Sequence, residues 1–250
     1  MRHSLRNREP TGGDPFSEED ARHGTEPLLK HNDPKICHTR SMSSQHDGDA
    51  AQDSLSSDLV MGEDGRARPP WAASDPLLME YYDTEWGVPV KTESGVFERL
   101  SLEAFQSGLS WSTILRKRPA FREAFADFDP DIVATFDDDA VASLMANPAI
   151  IRNERKIRAT IRNAQATLKL HEENSYLSDV VWSYASTSLP RPFRLSDIPS
   201  RTPESTALAK TLKKKGFSFV GPTTMFALME ALGIVDTHLV GAYHPMESAD

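Results

Sequence analysis

Few residues of this 250-residue chain combine catalytic side chains with a spacing that would concentrate them. Glu103 lies in Leu102-Glu103-Ala104-Phe105-Gln106, where helical spacing groups it with Arg99 and Gln106 on the most polar side. On spacing alone it reads as a solvated glutamate. The stretch Lys213–Thr224 is more suggestive. Three lysines precede Gly216, and Gly221-Pro222-Thr223-Thr224 opens a new helix, so backbone N–H groups there would suit a phosphate. Taken alone, the plainer reading is an ordinary helix connection with a solvated lysine cap. Arg116-Lys117-Arg118 and Arg152/Arg155/Lys156/Arg158/Arg162 are the other basic groups, and the second lies opposite an isoleucine stripe, as a solvated face would. Trp71, Tyr81, Tyr82, Trp86 and Trp111 surround one helical segment and read as core by burial habit. Five of the eight histidines (His3, His23, His31, His38, His46) share an irregular N-terminal stretch with the one cysteine, Cys37, which is no metal-site spacing.

The elements that must position these groups begin late. Residues 1–66 hold one aromatic, Phe16, and carry 8 basic and 13 acidic residues, a balance of −5. They lack the apolar pattern needed to offset chain entropy, so a disordered extension over 1–66 is expected, with the folded domain at 67–250. The remainder carries −4, so nucleic acid would have to be met by local patches and not by a global field. No apolar run approaches a membrane span and no secretory h-region opens the chain. One cysteine supports neither a disulfide framework nor a thiolate cluster. From Trp71 onward the period is helical: Phe97/Leu100/Ala104/Gly108, then Phe121/Ala124/Phe125/Phe128, Ile132/Val133/Phe136 with Val141/Leu144/Met145, and Ile150/Ile151/Ile157/Ile161/Ala164/Leu168. Tyr176–Tyr184 and a Pro-rich connection over Leu189–Pro203 precede two last helices, Ser205–Lys215 and Thr223–Leu232, ending at Gly216 and Gly233. The fold class is all-α.

In this order the segments resemble a known family. Asp75-Pro76, Tyr81 and Asp83-Thr84-Glu85-Trp86-Gly87-Val88-Pro89 are similar to the N-terminal signature of type I 3-methyladenine DNA glycosylases. So are Leu102-Glu103-Ala104-Phe105-Gln106-Ser107-Gly108-Leu109-Ser110-Trp111, Ile114–Arg118, Ile150-Ile151-Arg152 with Lys156-Ile157 and Asn163-Ala164, and Lys215-Gly216-Phe217 with Phe219–Thr224. The likeness runs from about Trp71 to Tyr243. It implies a helix-hairpin-helix glycosylase domain that flips 3-methyladenine, an alkylated purine, from double-stranded DNA and hydrolyses its N-glycosidic bond in base excision repair. By the same resemblance Glu103 is the catalytic carboxylate, Tyr81 hydrogen-bonds the purine edge and Trp111 stacks on its face. Trp71 and Trp86 wall the pocket, Gly108 and Leu109 fill the gap in the duplex, and Lys215, Gly216, Gly221 and Thr223 hold the backbone. A cytoplasmic, nucleoid-associated monomer of bacterial type, without cofactor, follows.

The departures are specific. Family members commonly hold a structural zinc by two Cys and two His, and the matching positions here are Pro69, Tyr82, His238 and Ala242. One imidazole does not meet a four-ligand requirement, so no metal is expected. Tyr82 packing or a Tyr82–His238 hydrogen bond would have to join the two ends instead. Ala149 stands where glycine is usual, and Ala104-Phe105 replaces Gly-Gln. Val235-Asp236-Thr237-His238 is also similar to the endonuclease-III type, which makes Asp236 a second candidate carboxylate, although the matching lyase lysine is absent. The competing function is a non-catalytic DNA- or lesion-binding protein of the same fold; a helical protein with no nucleic-acid role is a third reading.

Overall fold

The computed structural model describes residues 58–185 and 190–247. Residues 1–57 of the expected extension, with Cys37 and five histidines, therefore lie outside the described residues. The boundary at 66 moves inward: Val60–Met61 (β1) pairs antiparallel with Ala67–Arg68 (β2), Val60 opposite Arg68. The short turn between them is closed by Gly62 N–H to the Arg66 carbonyl, 2.9 Å. What composition hid is one arginine. Arg68 is 1% exposed and is gripped by Asp64 (2.5 Å) and Asp83 (2.5 Å), so polar residues near 64 belong to the folded body.

Ten α-helices follow among the described residues. Pro70–Ala73 (α1) and Pro76–Thr84 (α2) each start on proline, whose missing N–H is harmless there. Asp75 caps α2 by accepting from Leu77 N. Glu93–Gln106 (α3) is the central helix: it packs against Trp111–Ala124 (α4), Glu154–Glu172 (α7), Leu177–Trp182 (α8) and Pro222–Ala231 (α10). All ten residues from Val96 to Phe105 are buried. Its first residue, Glu93, accepts from Leu177 N and Ser178 N at 2.8 Å each, and so caps α8 from outside.

After α4 the chain makes one left-handed turn, Ala126–Phe128, with φ of 48, 52 and 56°. Three non-glycine residues in this region cost roughly 1–2 kcal/mol each. Burial of Phe125 and Phe128, both 0% exposed and stacked at 5.6 Å, offsets this. Pro130–Val133 (α5) and Asp138–Ala146 (α6) lead into α7, which starts at Glu154, capped by Asn153, so Ile150 and Ile151 precede the helix. Pro203–Lys214 (α9) packs on α10 across the short hairpin connection between them, and Gly216 (φ 93°) and Gly233 (φ 70°) end the two helices as their sequence position implies.

Candidate active site

Glu103 lies near the C-terminal end of α3 and is 6% exposed, not solvated. The helical wheel groups the polar residues correctly, but their side of α3 faces a buried polar seam. Arg118 bridges Glu85 (2.6 Å) and Glu98 (2.7 Å), and Arg99 reaches Glu85 at 3.1 Å; Glu98, Arg99 and Arg118 are all buried. The Glu103 carboxylate receives no hydrogen bond from the described residues. Burial pushes its pKa up to about 8, the neighbouring charge of Glu230 adds to this, and Arg99 opposes it.

Tyr81 on α2 is buried, with its ring centroid 5.5 Å from that of Trp111, the first residue of α4. Burial raises the Tyr81 phenol, and the field of Glu103 raises it further, which ties the three residues into one group. Four buried side-chain polar atoms lack partners among the described residues: Trp111 Nε1, Arg99 Nε, Ser101 Oγ and His238 Nε2. Three of them belong to α3 or to Trp111. Of these, Arg99 belongs to the Glu85–Arg118 seam and Ser101, two residues before Glu103, lies on the other side of α3, so Trp111 Nε1 is the unpartnered donor nearest the Tyr81 ring.

Trp71 and Trp86 stand in a second aromatic group. Their rings meet edge-on at 5.5 Å, and both pack on Tyr82; Trp86 lies 4.6 Å from His238. Neither ring pairs with Tyr81 or Trp111. Adjacent residues on α2 point in different directions, so Tyr81 serves the first group and Tyr82 the second. Asp236 belongs with the second as well. It accepts from His238 N (3.0 Å) and Nδ1 (2.7 Å) and faces Arg191 at 3.5 Å; burial alone would raise its pKa, but these partners outweigh that and hold it low. The carboxylate that acts on Glu103 is instead Glu230, which sequence reading passes over. It accepts from Thr237 Oγ1 at 2.6 Å, and burial pushes its pKa to about 7. Its signal was available: Glu230 is the one charged residue of α10.

The DNA-facing candidates lie on two loops. Gly108 (φ 81°) and Leu109 follow α3, with Leu109 N–H bonded to the Gln106 carbonyl at 2.6 Å; Leu109 rests partly on the core. In the hairpin, Gly221 is the N-cap of α10 and contributes no side-chain cap, so the first-turn N–H groups beside Thr223 stay available to an anion. All three lysines are exposed, but Lys215 is engaged by Glu173 at 2.5 Å, whereas Lys213 and Lys214 make no ion pair among the described residues. The cluster Arg116–Arg118 is spent internally: Arg116 pairs with Asp75, Lys117 donates to the Pro148 and Ala149 carbonyls, and Arg118 is buried. Lys156 is also buried, contrary to the solvated face expected of its cluster. An open cleft of about 400 Å³, lined by Pro190, Arg191, Phe193, Ile198 and Thr237 among others, contains none of the expected site residues.

Residues 71–245 match the family model described as methyladenine glycosylase. The chain belongs to this family. It is 42% identical over 173 residues to DNA-3-methyladenine glycosylase 1 of Escherichia coli (strain K12), covering 68% of this chain and 92% of that protein. A crystal structure of 3-methyladenine DNA glycosylase I superposes with a TM-score of 0.67 at 41% identity, covering 70% of this chain and 97% of that one. A variant of 3-methyladenine DNA glycosylase I in complex with 3-methyladenine superposes at 0.62 and 37% identity, covering 66% and 90%.

The zinc that the family resemblance implies does not fit these residues. Pro69 and Ala242 offer no donor atom, and the Tyr82 hydroxyl donates to the Tyr243 carbonyl at 3.0 Å, not to His238. Around His238, Asp236 and His244 are close, but Asp236 is already satisfied by His238 and Arg191. This glycosylase-family chain closes the corner with rings and backbone. Tyr243 N–H donates to the Ala67 carbonyl at 2.7 Å, and Arg66 lies 4.1 Å over the Tyr243 ring. Gly87, at φ 77°, lets the backbone lie on His238, where a Cβ would come within 2.5 Å of Cε1. Among the described residues no helix is long and apolar enough to cross a membrane.

Proposed function

We propose that this chain is a monofunctional DNA glycosylase that flips 3-methyladenine out of duplex DNA and hydrolyses its bond to the sugar. The observation that carries the reading is a buried carboxylate, Glu103, whose field acts on the buried Tyr81, the ring that packs on Trp111. Extracting the base costs a few kcal/mol, which stacking on Trp111 and contact with Glu103 and Tyr81 would offset. A 3-methylated adenine nucleotide is already cationic. When its C1′–N9 bond breaks, the electron pair neutralises the ring, and water adds to C1′ and loses a proton. Little general-acid help is therefore needed.

Selectivity follows from charge. An indole stacked on a cationic purine gains ~0.5–2 kcal/mol over a neutral one. In the free enzyme Glu103 is largely protonated at pH 7, because its pKa is about 8. A cation beside it restores the carboxylate and forms an ion pair at low dielectric, which neutral adenine does not induce. The restored charge also faces the sugar as positive charge develops there. Asp236, locked to His238 and Arg191, is left as a structural residue.

The bacterial relatives are what support action on DNA in a bacterial-type cell, and we infer a cytoplasmic monomer. The machinery resides in residues 58–247. The test is release of free 3-methyladenine from methylated duplex, measured beside binding to the same duplex. Release with turnover is expected; tight binding without release would replace the enzyme by a lesion-binding protein.

A further inference from the structure

Helix α7 carries a buried polar stripe that the pocket does not use. Lys156, Thr160, Asn163 and Thr167 recur at i, i+4, i+7 and i+11, and none is more than 7% exposed. Thr160 and Thr167 spend their hydroxyls on their own helix, donating to the Lys156 and Asn163 carbonyls at 3.0 Å each. Lys156 and Asn163 reach outward. The Lys156 ammonium donates to the Phe105 carbonyl (2.8 Å) and the Ser107 carbonyl (2.7 Å), which flank the end of α3 immediately before Gly108 and Leu109. Asn163 accepts from Ser218 N at 2.7 Å and donates to the Ser218 carbonyl at 3.1 Å, clamping the middle of the α9–α10 hairpin from both sides.

A buried ammonium held by carbonyls alone is a costly way to fill space, and a methionine would fill it more cheaply. Its geometry has a use instead. Seven helical residues separate the two anchors, about two turns or 10 Å, close to three base-pair rises of 3.4 Å. One rigid helix thus fixes both the loop that would enter the duplex and the hairpin that would hold its backbone.

Resting on the glycosylase reading above, we propose that Lys156 and Asn163 are positioning residues, and that α7 sets the distance between the duplex-entering loop and the phosphate-holding hairpin. Neither bonds to Glu103, Tyr81 or Trp111. The pocket should therefore bind free 3-methyladenine normally when either is changed, while action on DNA fails.

Full-length Lys156→Met, Asn163→Ala and their double variant would be compared with wild type in three measurements. These are affinity for free 3-methyladenine by tryptophan fluorescence, affinity for duplex containing a tetrahydrofuran abasic-site analogue, and single-turnover excision. Free-base affinity should stay within about twofold, while excision falls by about 10- to 100-fold, the scale of a 1 Å misplacement. Asn163→Ala should lose duplex affinity, and Lys156→Met should lose excision rate at saturating enzyme. The double variant should be little worse than the poorer single, because one lost end already destroys the spacing. Excision at the wild-type rate overturns the proposal, as does free-base affinity that falls in parallel with excision. If Lys156→Met does not fold, Asn163→Asp decides: it keeps the acceptor for Ser218 N, loses the donor to the carbonyl, and must show the same split. Wild-type protein that binds free base and duplex but excises nothing would instead sink the enzymatic reading.

Discussion

Replacing Glu103 by Gln should make the protein more stable and less active, and the size of the first effect can be worked out. The folded carboxyl has a pKa of about 8 against an ordinary 4.5, so the folded state holds a proton that the unfolded chain releases between those values. Each pH unit in that window costs 1.36 kcal/mol of stability, giving a penalty on the order of 3 kcal/mol at pH 7 and about 5 kcal/mol above pH 8. Below pH 4.5 both states are protonated and the penalty vanishes. The Glu103→Gln side chain would keep the shape and never ionise, so the variant's advantage over wild type should be near zero at pH 4.5 and grow as pH rises through 8. Denaturant midpoints at pH 4.5, 7 and 9 measure it. Single-turnover excision should fall at least ~10-fold, or ~1.4 kcal/mol, with duplex affinity little changed. This is less than the ~10²–10³ of a lost oxyanion-hole donor, since the leaving group is already activated. An advantage that does not grow with pH would mean that Glu103 is not a desolvated carboxyl. Silent excision, with Asp236→Asn abolishing it, would move the chemistry to Asp236.

Because the free enzyme must release the Glu103 proton to meet a cationic base, kcat/KM should rise with pH and level off near 8, about tenfold per unit well below it. Single-turnover rates on bound DNA should be flatter, and a slope that persists in Glu103→Gln would assign the titration elsewhere. Removing residues 1–57 should leave melting temperature and excision unchanged, whereas starting at Ala67 should lower the melting temperature by removing Asp64 from buried Arg68 and the strand from Ala67; calorimetry on both truncations checks this. Tyr82→Phe should cost about 1 kcal/mol through the lost bond to the Tyr243 carbonyl, and excess chelator should shift neither protein's unfolding; a chelator-sensitive transition would reveal a metal in that corner.

The helices were legible because their apolar period and glycine stops are local properties: Gly216 and Gly233 fall where the last turns end. The β-hairpin was not, because its two-residue strands have no period and its worth lies in Arg68, whose burial depends on Asp83 from α2. Glu103 marks the same boundary. Spacing separates polar from apolar sides of α3 but does not say whether water or protein lies beyond, and a helix covered on all sides defeats that inference. Resemblance supplied its placement. For Trp71 and Trp86 the resemblance implied pocket walls, and what the structure adds is that their rings pack in the Tyr82–His238 corner. Lys156 and Asn163 look like ordinary members of an amphipathic helix until their backbone partners, about 50 residues away, are known.

The corner that joins the two ends of the domain has a consequence for the conditions under which such a protein would work. Methylating agents attack soft nucleophiles, and a thiolate is the softest a protein offers. Residues 58–250 contain no cysteine, and the imidazole at the centre of the corner is 1% exposed and covered by Trp86 and Tyr82. A fold closed by stacked rings and backbone carbonyls offers no thiolate there to alkylate, oxidise or strip of its ion. The agents that create the substrate would therefore leave the clasp of the repair protein intact.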